Sequence, residues 1–591
     1  MTMARKVRSR FLLYVILLSL IFCTTLYRCY LRRPAAFVVV SSASSGSLNF
    51  AIRDNLKDAV LVSRKETAPL LRKAPNQSPQ LSATAVLLPE WEVLLIVSPE
   101  TTPSNFDGYL CLFQTDEISP ARFSGFLPFP NRATFGCLMP ARFRRRRPPW
   151  RQPVLLKSSE RKSPPPPPPP PPPLLLRWSY LVYDSLTTDN DVVLFAKGVN
   201  HRQGINRSPS EFRCVFRDNA GNSVRTVVTS STQEVFRCKP PDPSAISGEV
   251  MLSLVIVAEN HVVPSIAYYT RPRTIAPTNS KSLLCATTMV YNVTKYLKEW
   301  ILYHSKIGVD KFLLYDNGSD DDLEAAVRDL VGKGFDVNTY PWRWPKTQES
   351  GFSHSVLYAR KACTWMMYLD VDEFIYSPSW KNLIKPSKSL LQRVVINSSK
   401  STGQITVSCH EFGPSGQSVH PPAGVTQGYN CRRKLENRHK SIVLLHAVDH
   451  SLLNVVHHFE LQDGYKTRKT TTKTMAVNHY KYQAWPEFKS KFRRRVSAYV
   501  LDWTQKSNPS SKDRTPGLGF EPVEPPGWPQ QFCEVRDNNL KVLVSRWFGF
   551  LESDSRRIRM PWQEEEEDDE DGHFEIGVRT RSASGSIHDF F

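Results

Sequence analysis

The feature that most restricts the fold of this chain is a change of period at Leu283, where strand-like and helix-like segments begin to alternate. Leu283 to Tyr291 reads as a strand. Thr294 to Lys306 carries Tyr296, Leu297, Trp300, Ile301 and Tyr303 on one helical stripe, and Lys311 to Tyr315 is a second strand. Asp320-Asp321-Asp322 opens a helix that ends at Gly332 or Gly334. Val337 to Trp342 is a third strand, Ser353 to Cys363 a helix, and Trp365 to Tyr376 a fourth strand. A β-α-β-α-β-α-β succession builds a doubly wound sheet, and such sheets bind ligands beyond the carboxyl ends of their strands. The polar residues gather there: Asn292 after the first strand, Asp316 and Asn317 after the second, Asp370 and Asp372 at the end of the fourth.

Read as a continuing strand, Trp365 to Tyr376 turns Asp370 and Asp372 to one side and Val371 and Glu373 to the other. Two carboxylates on one side suit a hard divalent ion that keeps positions open for phosphate oxygens, the chemistry of a nucleotide-sugar diphosphate. An isolated Asp-x-Asp also describes a solvated acidic turn, so its neighbours in sequence must decide between the two.

Before Leu283 the chain has another character. Phe11 to Leu26 is apolar or hydroxylic, flanked by Arg5, Lys6, Arg8 and Arg10 before it and by Arg28, Arg32 and Arg33 after it. Such a run just crosses a thin bilayer and is read as a single N-terminal anchor; the alternative is a cleaved signal peptide. The expected order is a cytosolic tail 1–10, a transmembrane helix 11–27 and a stem 28–84. A β-rich accessory domain follows over 85–275, then a catalytic domain over 276–552 and a disordered acidic tail over 553–591. Short runs such as Trp91 to Val97, Tyr109 to Phe113, Glu211 to Phe216 and Val250 to Val257, bounded by turn residues, predict an all-β sandwich-like accessory domain. Its aromatics Trp91, Tyr109, Trp178 and Tyr183 are candidates either for sugar stacking or for the core. The ten prolines Pro164 to Pro173 read as an exposed loop. Beyond the anchor, nine cysteines show no Cys-x-x-Cys spacing; pairing of Cys111 with Cys137 and of Cys214 with Cys238 is expected, and an odd count leaves a free thiol. Sequons stand at Asn76, Asn206, Asn292, Asn317 and Asn397.

Leu297 through Asp322, with Glu299-Trp300-Ile301-Leu302-Tyr303-His304 and Tyr315-Asp316-Asn317-Gly318-Ser319-Asp320-Asp321, followed by Asp370-Val371-Asp372-Glu373-Phe374, resembles glycosyltransferase family 92 (domain of unknown function 23). The resemblance extends through His410-Glu411-Phe412-Gly413-Pro414, Arg432-Arg433 and Val477-Asn478-His479-Tyr480, covering about 283 to 550. The flanks Ser119 to Gly125 and Gly204 to Pro209 look like those of plant members, among them β-1,4-galactan synthases; the polyproline run and the acidic tail depart from that pattern. The resemblance implies an α/β GT-A fold, Golgi type II topology and an inverting, metal-assisted transfer from a UDP-sugar, with Mn2+ as cofactor and galactose as the favoured sugar. It implies that Asp316 touches the uracil or ribose and that Asn292, Asp370 and Lys481 line the donor. Asp370, Asp372 and His479 would hold the metal, and Glu411 would be the base, with Asp372 also counted as catalytic. A lone His479 is also compatible with a structural role, and Lys489 to Arg495 with an ordinary basic helix face.

The excess of 77 basic over 56 acidic residues, +21, fits nucleic acid, membrane or a polyanionic partner. No nucleic-acid motif is present, so the membrane and an acidic, pectin-like polysaccharide acceptor are the expected partners; a homo-oligomer is compatible with them. A non-catalytic lumenal glycan-binding protein is the alternative. A hydrolase is disfavoured, since no paired acid lies outside the Asp370 cluster.

Overall fold

Strand β1, Ser282–Val290, is the centre from which the α/β part of the chain is wound. It is followed by helix α1 (Thr294–Ile307), β2 (Lys311–Asp316), α2 (Leu323–Gly332), β3 (Val337–Pro341), α3 (Gln348–Tyr358) and β4 (Cys363–Tyr368). Then come β5 (Glu373–Tyr376), α4 (Ser389–Ile396), β6 (Thr402–Phe412), β7 (Cys431–Leu444), β8 (Lys466–Lys469), β9 (Ala476–His479), β10 (Val535–Arg536) and α5 (Asn539–Phe548). This computed structural model describes residues 81–563 apart from 115, 146–147, 159–171, 201–204, 271, 273–274, 276–279, 456, 492–523 and 552–557, all within one unit, Ser78–Phe591. The expected tail and anchor (1–27), most of the stem, most of the polyproline run, Arg493 to Arg495 and the acidic run 564–571 lie outside the described residues. Among the described residues no helix is long and apolar enough to cross a membrane.

The sheet has ten strands in the order β3-β2-β1-β4-β7-β6-β9-β5, with β8 beside β6 and β10 beside β7. Strands β1 to β4 are parallel and β7 is antiparallel to both β4 and β6. Strand order therefore reverses beside β1: β2 and β3 wind to one side and β4 to the other, opening a crevice at the carboxyl ends of β1 and β4. Both faces are covered, so side chains alternate between two cores rather than between core and solvent. Leu284, Ala286, Phe312, Leu314 and Met367 enter one core with Trp300 and Tyr303 of α1; Cys285, Leu313, Tyr315, Met366 and Tyr368 enter the other with Phe352 and Val356 of α3. Helix α1 ends at Gly308, whose φ of +137° and clearance of 2.4 Å between a would-be Cβ and the Lys388 carbonyl admit only glycine.

Three expected boundaries are corrected. Helix α2 begins at Leu323, because Asp322 is left-handed at φ +55°; Asp320 and Asp321 turn to other partners. Helix α3 begins at Gln348 and ends at Tyr358: every residue from Ser350 to Leu357 is buried, so no amphipathic stripe marks its limits, and Cys363 pairs with Ser282 in the sheet. Trp365 to Tyr376 is not one strand. The chain leaves β4 at Tyr368, turns through Leu369–Asp372 and enters β5 at the far edge of the sheet, beside β9.

The β-rich region also differs from a single sandwich. A five-stranded sheet containing Glu92–Val97 and Arg132–Leu138 shares one core with a three-stranded sheet, while an eight-stranded sheet from Leu181–Thr187 to Ala267–Tyr269 holds another. Disulfides join Cys111 to Cys137, Cys214 to Cys238, Cys285 to Cys363 and Cys431 to Cys533; among the described cysteines Cys409 is free and buried. Tyr109, Trp178 and Tyr183 are interior, so they cannot stack on sugars; Trp91 is partly exposed but packs edge-on against Trp150. Trp178 stacks on Trp344 at 5.9 Å, and the Trp344 indole donates to Asp184 Oδ2 at 2.6 Å, which joins the β-rich region to the loop after β3. At the other end, Ile558–Arg559 and Trp562, placed by sequence in the tail, belong to the fold: Ile558–Arg559 pairs with Phe550–Leu551, and the Trp562 indole donates to Ala423 O at 3.0 Å.

Glu299, buried on α1, accepts from Val425 N at 2.8 Å and Thr426 N at 3.1 Å and from the Thr426 hydroxyl, pinning the loop before β7. Burial pushes its carboxyl up to about 7 against those hydrogen bonds. The folded protein therefore binds a proton that the unfolded chain has released, and this contribution to stability is full below the ordinary glutamate pKa and lost as pH rises through about 7. Urea midpoints measured from pH 4.5 to 8 should fall across that window in the parent protein, and Glu299→Gln should flatten the slope.

Candidate active site

The turn Leu369–Asp372 lies at the carboxyl end of β4, beside the reversal of strand order, and it is held by its own carboxylate. Glu373 Oε2 accepts from Asp370 N at 2.9 Å, and Asp370 O accepts from Glu373 N at 3.1 Å. Glu373 has no solvent exposure, so a charge must meet it inside the protein. That charge is Lys440 of β7, whose Nζ lies 2.9 Å from Glu373 Oε2 and 2.9 Å from Asp370 Oδ2 and donates to His457 Nε2 at 2.7 Å. Because His457 Nε2 accepts, its neutral ring carries the proton on Nδ1. Burial alone would raise the Asp370 carboxyl, but the Lys440 ammonium outweighs it and holds it well below the usual range. Burial likewise lowers the Lys440 ammonium, and Asp370 and Glu373 more than restore it. Glu373 is pushed up by burial.

Asp372 faces a second cationic group. Lys491 Nζ is 2.8 Å from its Oδ2 and His479 Nε2 is 3.6 Å away; together they outweigh burial and hold its carboxyl well below the ordinary value. The other ring nitrogen of His479, Nδ1, is 3.4 Å from Glu373 Oε1. Sheet register explains this crowding, since Glu373 of β5 stands opposite His479 of β9, and His479 stands opposite Glu411 of β6. Cross-strand partners share a face, so three strands deliver Glu373, His479 and Glu411 to one line. Glu411 is buried; its Oε1 accepts from Asn437 Nδ2 at 3.0 Å and from Lys481 Nζ, and Arg433 Nη1 lies 3.5 Å from Oε2. Burial raises its carboxyl and Lys481 lowers it further, which leaves Glu411 ionised.

At the ends of β1 and β2 the loops are tied together. Asn292 donates to Asp320 Oδ1 at 2.6 Å and accepts from Asp320 N at 2.9 Å, and Asp320 pairs with Arg122 of the β-rich region at 2.6 Å. Asp316 Oδ1 accepts from Ser319 N at 2.9 Å, closing the turn that carries Asn317, whose amide donates to Trp342 O at 2.7 Å and Trp344 O at 3.0 Å. Arg343 projects between Gly125 and Gly318, whose φ of +86° and +88° lie in the left-handed region that favours glycine. Burial lowers the Arg343 guanidinium, and Asp316 is the nearest charge that offsets this.

Asp370, Asp372, His479, Glu411 and Lys481 are thus connected through Glu373 and the β5-β9-β6 register. Asn292 and Asp316 shape the neighbouring loops. Sequence reasoning assigned no role to Glu373, Lys440, His457 or Asn437, and within the run Lys489 to Arg495 it is Lys491 that reaches Asp372 whereas Lys489 is exposed. As the side chains stand, no three His, Cys, Asp or Glu groups among the described residues converge tightly enough to share an ion, because the ammonium groups draw the carboxylates to themselves. The donor set nevertheless fits a hard divalent cation. Asp372 and His479 are adjacent, Asp370 keeps Oδ1 on a long 3.3 Å bond from Gln348, and the Lys491 side chain beside Asp372 is partly exposed.

Comparison with known proteins adds the family. The profile of glycosyltransferase family 92 matches residues 280–515. A glycosyltransferase family 92 protein of Arabidopsis thaliana is 38% identical over 404 residues, covering 66% of this chain and 70% of that protein. One of Oryza sativa subsp. japonica is 40% identical over 415 residues, covering 66% and 68%. Among solved structures, a mannosyltransferase from Pyrobaculum calidifontis in complex with GDP-Man and Mn2+ aligns with a TM-score of 0.24 and 10% identity, over 38% of this chain and 63% of that one.

Lys440→Met leaves the buried Glu373 and the partly exposed Asp370 without their counter-charge and should cost about 3 to 5 kcal/mol in urea unfolding. Adding Glu373→Gln should recover part of that loss, so the double variant falls short of the sum of the singles. Glycopeptide mapping of the chain expressed through a secretory host should find Asn317 unmodified, its amide being committed to two carbonyls, whereas the exposed Asn397 should carry glycan.

Proposed function

The chain belongs to glycosyltransferase family 92, and from that premise we propose that it transfers a hexose, galactose in the first instance, from a UDP-sugar to a cell-wall glycan with inversion. The observation that carries this reading is the Asp370–Asp372 turn at the carboxyl end of β4, beside the reversal of strand order where doubly wound sheets bind nucleotides. The nucleoside lies over the β1 and β2 ends, where Asp316 accepts from the base or ribose and the Asn292–Asp320–Arg122 chain keeps the loop open. The diphosphate meets the Asp370–Asp372 turn. Asp372 and His479, with Asp370 beside them, would hold Mn2+, which when bound supplies a positive charge against the leaving diphosphate.

As the glycosidic bond to UDP breaks, negative charge grows on the diphosphate, and cationic groups already in place stabilise it without reorganising. Glu411 takes the acceptor hydroxyl proton as that oxygen attacks the anomeric carbon from the opposite face. Its ionised state suits it to receive a proton, and Lys481 and Asn437 fix its orientation. Single-pass Golgi anchoring through 11–27 and an acidic, pectin-like acceptor held in part by the β-rich region complete the proposal; the four disulfides support an oxidising lumen. A non-catalytic glycan-binding role has no use for a buried, charge-balanced carboxylate cluster.

The test is UDP release by the purified full chain in Mn2+ with each UDP-sugar and a galactan or pectic acceptor. UDP-galactose should be the donor. Asp372→Asn should lower turnover by about 100-fold or more while leaving the thermal midpoint within a few degrees of the parent. Undiminished turnover by that variant would exclude the assignment.

A further inference from the structure

Two lysines neutralise the Asp370–Asp372 turn, and they are built differently. Lys440 has three partners and a side chain 8% exposed, fixed from every side. The Lys491 side chain is 34% exposed; it touches Asp372 Oδ2 and lies over the ring of Tyr296, 5.2 Å from its centroid. That ring is anchored, its hydroxyl lying 2.8 Å from Gln483 Oε1 and 2.9 Å from Glu487 Oε2. Glu487 is already paired with Lys295 and does not compete for Lys491. Among the described residues the Lys491 ammonium is held by one carboxylate oxygen and one aromatic face, two contacts that a partly exposed group exchanges at little cost.

We infer that Lys491 is an exchangeable counter-ion: without donor it occupies the Asp372 oxygen that a divalent cation needs, and with donor it moves to a diphosphate oxygen. The inference rests on the nucleotide-sugar reading of the site. Two cations cannot share Oδ2, because they repel strongly at contact distance in a partly buried site. A cation arriving alone must expel Lys491 without offering it a partner. Arriving with a diphosphate, it offers one. Cation and nucleotide then bind better together than either does alone, and by linkage each raises the affinity of the other by the same factor. Lys440 cannot act in this way, since its departure would strand Glu373.

Calorimetric titration of the full chain with MnCl2, with and without saturating UDP, tests the exchange. In the parent protein UDP should tighten Mn2+ binding. Lys491→Met should bind Mn2+ alone about fivefold more tightly than the parent, and the enhancement by UDP should shrink by a similar factor. Lys491→Gln should behave alike and Lys491→Arg should keep the coupling, with circular dichroism confirming that each is folded. Mn2+ affinity without nucleotide that is unchanged or weaker in both neutral variants, or an undiminished UDP effect, would overturn the exchange, as would a parent protein that binds no Mn2+. Those outcomes in a protein that turns over a UDP-sugar overturn the exchange alone. No turnover of any UDP-sugar by the parent removes the underlying reading.

Discussion

The buried ammonium of Lys440 is the interaction on which the candidate site depends. Glu373 is sealed from solvent, and its Oε2 both caps the Asp370 amide and receives Lys440. Without the lysine, a fully buried carboxylate would remain charged at great cost or take a proton; in either case the Asp370–Asp372 turn would lose its brace. Lys440 comes from β7, Glu373 from β5, and the turn from the end of β4. The contact thus ties the parallel half of the sheet to its antiparallel half. The carboxylates at the front of the site are oriented from behind, by Glu373, Lys440 and His457, all three buried.

What was legible in the sequence, and what was not, follows from the range of the forces involved. Strands β1 to β3 and helix α1 were readable because local periodicity and turn residues decide them: Leu297, Trp300, Ile301 and Tyr303 recur at helical spacing, and Gly308 ends the run. Helix α3 was misplaced because burial on all sides erases its stripe. The Asp370–Asp372 turn was mistaken for strand because its geometry is set by Glu373, Lys440 and His457, and Lys440 lies 70 residues from Asp370. Asp370, Asp372, His479 and Glu411 could be named from the family pattern. Lys481, the counter-ion of Glu411, is named with them, but Lys440 and Lys491 are not assigned as counter-ions, since a lysine that neutralises an acid looks in sequence like any other lysine. Disulfide pairing within one hairpin-sized region was guessed for Cys111–Cys137 and Cys214–Cys238, whereas Cys431–Cys533 spans 102 residues and left no local trace.

The aromatics of the β-rich region changed their meaning once placed. Trp178 and Tyr183 are not a sugar platform but the far wall of the α3-side core, where Trp342, Trp344 and Phe195 complete the cluster. Arg122 reaches the same loops from the five-stranded sheet and grips Asp320 beside Asn292. Remote β-strands therefore take part in shaping the mouth of the crevice, though they contribute none of its carboxylates.

The shared core at Trp178 and Trp344 separates two notions of a boundary that sequence comparison merges. Residues 280–515 are the span that the family profile matches, but they do not pack as a unit of their own. On one side, Trp342, Trp344, Phe352 and Val356 have their packing partners among Val86, Ile96, Tyr183 and Phe195. On the other, Cys431 finds its disulfide partner at Cys533, and Tyr482 stacks on Phe532 at 3.8 Å. Cut at the limits of the family profile, the segment would carry raw apolar faces at both ends.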